Sequence, residues 1–226
     1  NNASVNYTVT FNENVTGVGT ADFALTTTGV TGTSITSVTQ VTPDVYTVAV
    51  NTGSGSGTIR LDVVDDDSIR DTVTNRLGGT GNGNGNFNLG QFYTIDRVAP
   101  TVSSIDRTGS NPTGAASIQF TATFSESVTG VDTSDFTLST TGVTGASVSS
   151  VTQVTQITYT VTVNTGSGSG TIRLNLPADD SVRDLATNRL GGTGAGNGDF
   201  TGQKYTIDKL PPTVTSIARI DADPTV

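Results

Sequence analysis

Apolar and polar residues alternate along much of this chain with a period of two. Val5, Tyr7, Val9 and Phe11 are separated by Asn6, Thr8 and Thr10, and Ile118, Phe120, Ala122 and Phe124 by Gln119, Thr121 and Thr123. The same pattern runs through Tyr159, Val161 and Val163, and through Ile172, Leu174 and Leu176. Successive side chains of a strand point to opposite faces, so these runs predict strands with one buried face and one Thr-rich outer face. Clusters of Gly, Asn and Asp separate them, and no stretch has the period of an amphipathic helix. In the second half of the chain, strands are predicted over 101–107, 117–125, 135–140, 146–153, 157–164, 171–176 and 203–208. The connection 177–202 carries the run GGTGAGNGD, which has neither the Lys nor the following helix of a phosphate cradle and is taken as loop.

The pattern is written twice. FNENVTGVGTADF (11–23) returns as FSESVTGVDTSDF (124–136), VNTGSGSGTIRL (50–61) as an identical stretch at 163–174, and DDSIRDTVTNRLGGTG (66–81) as DDSVRDLATNRLGGTG (179–194). All three pairs share an offset of 113 residues, which falls to 112 after NFNLGQFYTID because DFTGQKYTID is one residue shorter. A repeat of about 112 residues is too long for most solenoids and suits an independent domain. Short strands in a unit of that length point to a two-sheet antiparallel β-sandwich, whereas a β-helix would need a much shorter repeat. The expected organisation is a first domain at 1–98, a second at 99–210, and the first strand of a third repeat at 211–226, because PTVTSIARIDADPT (212–225) matches PTVSSIDRTGSNPT (100–113). By the same alignment Asn1 falls just after that strand, so the first domain lacks one of its own. Two origins stay open: a window cut from a longer repeat chain, or a subunit whose segment 212–226 completes the first domain of a neighbour.

Composition narrows the chemistry. Lys and Arg number 11 against 20 Asp and Glu, a net charge of −9 with a pI near 4.2. That balance opposes binding to nucleic acid phosphates or anionic membrane surfaces. Cys, Met, Trp and His are absent, which removes disulfides, thiolate metal sites, thiol nucleophiles and the usual proton shuttle. Paired carboxylates recur in both copies without a companion base, so catalysis is not expected. The first unit holds no Lys, which excludes a Lys–Asn isopeptide staple as a property of the repeat. No apolar run approaches the length of a membrane span, and no signal peptide is visible. Three N-glycosylation acceptor patterns, starting at Asn2, Asn6 and Asn14, occur in the first unit and have no counterpart in the second.

The order of APTVSSI, FSESVTGVDTSDF, YTVTVNTGSGSGTIRL, DLATNRLGG and YTIDK resembles tandem bacterial Ig-like domains, which are strung along large repeat-containing adhesins and other exported surface proteins. The resemblance covers nearly the whole chain. It implies an all-β fold of tandem Ig-like, Greek-key sandwiches at an extracellular location on a bacterial surface. It also implies a structural role, as a rigid stalk or fibre that spaces an adhesive head or builds a filament. The alternative is an adhesive module that binds a glycan or protein through exposed loops or sheet faces. Exposed aromatics for stacking are few, which favours the stalk.

Carboxylates gather in the loops after the strands at 117–125 and 171–176. In the second unit these are Glu126, Asp132, Asp135, Asp179, Asp180 and Asp184, with Asp96 arriving from the connector TIDRVAP. Like charges at one end repel unless a cation or Arg answers them. Ca²⁺ takes about six to eight oxygens, which such loops supply, and related surface proteins are rigidified by calcium between domains. The expected ligands are Asp96, Glu126, Asp180 and Asp184, with Glu13, Asp67, Asp71 and Asp208 serving neighbouring joints. Equally open are solvated acids answered by Arg97, Arg183 and Arg189. The VAP and LPP connectors restrict φ at and before each Pro, so an elongated rod is expected.

Overall fold

Each alternating run folds as a strand whose apolar positions are the buried ones. The computed structural model describes residues 2–220. In the second half the strands are β9 (Val102–Arg107), β10 (Ser117–Phe124), β11 (Val128–Thr129), β12 (Thr137–Thr141), β13 (Ser147–Gln153), β14 (Thr158–Asn164), β15 (Gly170–Leu176), β16 (Arg183–Asp184) and β17 (Phe200–Ile207). Of these, β10–β17 mirror β1 (Ser4–Thr10), β2 (Val15–Thr16), β3 (Phe23–Thr28), β4 (Ser34–Thr42), β5 (Val45–Asn51), β6 (Gly57–Val63), β7 (Arg70–Asp71) and β8 (Phe92–Ile95) in the first half. In β14, Tyr159, Val161 and Val163 are buried while the intervening Thr residues are not. One compact unit runs to Ala99 and takes in Leu185–Asn188; the other comprises Pro100–Asp184 and continues from Arg189.

The second unit has one sheet in the order β13-β14-β10-β9 and another in the order β12-β15-β17, all pairs antiparallel. This is the strand order of an immunoglobulin constant-type sandwich. Between its sheets nineteen buried apolar residues form one cluster, with Phe120, Phe124, Tyr159, Leu174 and Tyr205 among them. Each of the larger side chains stabilises the fold by roughly 1.5–3 kcal/mol through burial. The identical stretch VNTGSGSGTIRL has a backbone reason: a Cβ on Gly57 or Gly170 would stand 1.8 Å from the carbonyl oxygen of Thr28 or Thr141. Only glycine lets the two strands approach that closely.

The first unit has the same two sheets less one strand: β1-β5-β4 and β3-β6-β8. Nothing among the described residues pairs with β1 on the side where β9 pairs with β10, and its buried apolar residues form two smaller clusters. Strand β8 is four residues long where β17 is eight. Residues 211–220, the described part of the predicted third-repeat strand, form no strand and are exposed; 221–226 lie outside the described residues. A strand needs a ladder partner for its N–H and C=O groups, and among the described residues this segment joins no ladder.

Two boundaries differ from the sequence expectation by more than one residue. The strand predicted from 135 begins at Thr137, because Thr133–Asp135 is a 3₁₀ turn capped by Asp132. The strand predicted from 203 begins at Phe200. The two-residue pairs β2–β7 and β11–β16 were not predicted, being too short to carry a period. Among the described residues no helix is long and apolar enough to cross a membrane.

Candidate functional site

The acidic loops of the second unit are fastened together by β11 and β16, where Val128 opposes Asp184 and Thr129 opposes Arg183. This pairing brings Glu126 beside Asp184, with carboxylate oxygens within 4.8 Å of each other. Asp184 is 3% exposed and Glu126 is half-buried. Two oxygens on opposite sides of one Ca²⁺ lie up to about 5 Å apart, so the spacing suits two ligands of one ion. Of the predicted ligands in this unit, these two are the pair brought together.

Asp180 is engaged differently. Its backbone is left-handed, with φ at 71°, and its carboxylate pairs with Arg189 at 2.5 Å while accepting the Gly194 N–H at 3.3 Å. Asp67 repeats this at φ 69°, paired with Arg76 and accepting from Gly81. Both carboxylates therefore close the glycine-rich loop upon itself. Arg189 thus answers an acid as the charge-balance alternative holds, whereas Arg97 donates instead to the Gly55 carbonyl and the Thr52 hydroxyl.

The remaining predicted ligands accept local hydrogen bonds or face solvent. Asp71 accepts N–H bonds from Val73 and Asn75 and the Asn75 side-chain amide at 2.7–2.8 Å. Burial works against its charge, but those donors outweigh it and hold the carboxyl below its ordinary pKa. Asp96 and Asp208 accept the N–H of Val98 and Leu210, each at 3.0 Å. Glu13 is exposed.

Two features carried no motif. In the 3₁₀ turn, Asp135 is 1% exposed and accepts the Ser181 hydroxyl at 2.5 Å and the Asp132 N–H at 2.6 Å. Burial raises its pKa, and the charges of Asp132 and Asp179 add to the effect. Asp22 and Ser68 form the same pair in the first unit. The signal available was the recurrence, at one spacing, of an Asp before a core Phe and a Ser after two Asp. The second feature is a connector clasp. Arg97 donates its N–H to Ser56 Oγ and its guanidinium to Thr52 and Gly55. Lys209 likewise donates its N–H to Ser169 Oγ and its ammonium to Thr165 and Gly166.

No protein-family model matches the chain, and no curated protein matches it. Among solved structures it is similar to FdeC, described as a novel broadly conserved Escherichia coli adhesin eliciting protection against urinary tract infections. The identity is 16% and the TM-score 0.40, over 92% of this chain. The chain spans 64% of the length of that solved chain.

Proposed function

We propose that this chain is a structural segment of tandem immunoglobulin-like domains in an extracellular stalk or fibre on a bacterial surface, acting as an adhesin spacer or filament rather than as an enzyme. The observation that carries the proposal is that the two units share their sandwich scaffold and repeat several of its fastenings at equivalent residues. Asp67–Arg76 recurs as Asp180–Arg189. The hydroxyl of Tyr46 on the Val15 carbonyl recurs as Tyr159 on Val128. A spacer gains from units that do one job, and stability in such arrays is close to a sum over repeats.

The connector clasp supports stiffness. Each unit ties the cation of its own outgoing segment to the same loop, so the following residue departs from a defined point. The prolines beyond restrict φ further. The proposal includes Ca²⁺ held by Glu126, Asp184 and connector carboxylates. Small-angle scattering of the two-domain chain tests the stalk: a maximum dimension near the summed lengths of two sandwiches is expected. A compact or freely jointed pair overturns it, and glycan or protein capture by the chain would favour the binding module instead.

A further inference from the structure

The bare edge of the first unit opens a groove of about 720 Å³ between its sheets, lined by Tyr7, Val9, Leu61, Val63, Phe92 and Tyr93 among others. In the second unit the equivalent space is filled by β9. Tyr205, 2% exposed there, corresponds to Tyr93, which is 39% exposed. Gly202 shows how the filling works. A Cβ on it would come within 2.7–2.8 Å of the Ile105 side chain, so the glycine is the seat on which Ile105 packs. The first unit keeps that seat as Gly90, at the wall of the groove, where an added Cβ would meet only the Leu61 carbonyl at 3.3 Å and Arg60 Cγ at 3.9 Å.

The chain also carries a segment of matching sequence. TVTSIAR (213–219) repeats TVSSIDR (101–107) of β9. Ile217 stands 94% exposed where its counterpart Ile105 is 1% exposed, and Val214 is exposed as well. An acceptor edge with an apolar trough and an unburied segment with the right alternation are the two halves of a strand-addition joint.

We propose that the groove of the first unit is an acceptor for residues 212–220 of a second copy of this chain. The segment would add to β1 as an antiparallel strand in the register of β9 on β10. There Arg107 opposes Phe120, Ile105 opposes Ala122 and Ser104 opposes Thr123. Transferred by the repeat offsets, Arg219 opposes Tyr7, Ile217 opposes Val9 and sits on Gly90, and Ser216 opposes Thr10. Arg107 also donates to Gln203 Oε1 at 3.3 Å, and the counterpart Gln91 lines the groove, in place to receive Arg219. The Tyr93 hydroxyl already donates to the Asn6 carbonyl, as Tyr205 does to Gln119. In the second unit the same oxygen also accepts the Thr108 N–H at 3.2 Å, a bond that Ile220 of the incoming strand would supply. Donor and acceptor surfaces differ, so the contact is heterologous and propagates head to tail. This assembly does not depend on the surface role.

The test uses the intact chain and two variants with opposite defects. Ile217→Asp spoils the donor and leaves the groove intact; Gly90→Val fills the seat and leaves the donor intact. Sedimentation velocity of the unaltered chain is expected to show oligomers that grow with concentration. Each variant alone is expected to remain monomeric, and an equimolar mixture to give a dimer and nothing larger. Hydrogen exchange should slow at β1 amides on assembly. A chain that stays monomeric at all concentrations overturns the proposal. So does assembly that survives Ile217→Asp, or a mixture that fails to pair while circular dichroism shows both variants folded.

Discussion

Asp135 and Asp65 are both nearly sealed from solvent, yet their surroundings act on their charge in opposite directions. Burial, with Asp132 and Asp179 nearby, raises Asp135 above the ordinary 3.8. Its contribution to stability is then fully present below that value and lost as pH rises through the folded pKa. Asp135→Asn should therefore raise the melting temperature at pH 7, with a gain that shrinks as pH falls toward 4. The introduced amide can accept the Asp132 N–H and donate to Ser181 Oγ, leaving the Ser181 proton, now shared by Asp135 and Asp179, to Asp179. No gain at neutral pH would show that the buried charge costs nothing there. Asp65 is the reverse case. The N–H groups of Asp67 and Gly85 lower its pKa, against burial. Its contribution is present above the ordinary carboxylate range and lost as pH falls through the folded value. Asp65→Ala strands those buried donors at about 1–3 kcal/mol, so exchange should quicken over residues 81–87 and the first unit's unfolding midpoint should drop. The second unit holds Ala178 there and keeps the bond that both units share, Asp199 on the Ala178 N–H as Asn86 on the Asp65 N–H.

Among the elements, β9 carries the clearest consequence of strand order. It closes the edge of β10 and seals Ile105 against Gly202, turning two sheets into one continuous core. Ile105→Ala should cost the second unit about 2–5 kcal/mol, and urea unfolding should show this as a lower midpoint for that unit alone. The closeness of β12 and β15 is tested by Gly170→Ala. Its new methyl would meet the Thr141 carbonyl oxygen at 1.8 Å, so the strands must part, at about 1–3 kcal/mol or somewhat more. An unchanged midpoint would show that the sheet relaxes freely at that position. Among the described residues the first unit has no comparable seal on β1, and the apolar residues left open there include Phe92 and Tyr93. Its opening free energy by hydrogen exchange should therefore lie below that of the second unit.

At the scale of the whole molecule, a charge of −9 favours cations that bridge carboxylates. Added Ca²⁺ should raise the melting temperature, and EDTA should lower it again. The double change Glu126→Gln with Asp184→Asn should abolish the Ca²⁺ effect while leaving the EDTA baseline in place. Mg²⁺ should act weakly, because it requires a tighter octahedral shell and keeps its waters. A melting temperature indifferent to Ca²⁺ would leave the acids to the arginine pairings seen at Asp67 and Asp180.

Strands, repeat and sandwich class were legible along the chain because a period of two is a local signal: it needs only neighbours in sequence and one buried face. The repeat amplified that signal by displaying each run twice. The candidate ligands were legible as types but not as a set, since Asp is common in loops and its partners come from other segments. Asp180 folds back on Arg189 nine residues away through a left-handed turn that no pattern announces, while Glu126 meets Asp184 only because β11 pairs with β16. The groove was the least legible feature of all. Tyr7 and Phe120 occupy the same place in the same alternation, and whether such a side chain is sealed depends on a strand arriving at the sheet edge. Burial is a property of what packs from outside the strand, so local alternation chooses the face and the neighbouring chain decides whether that face is closed.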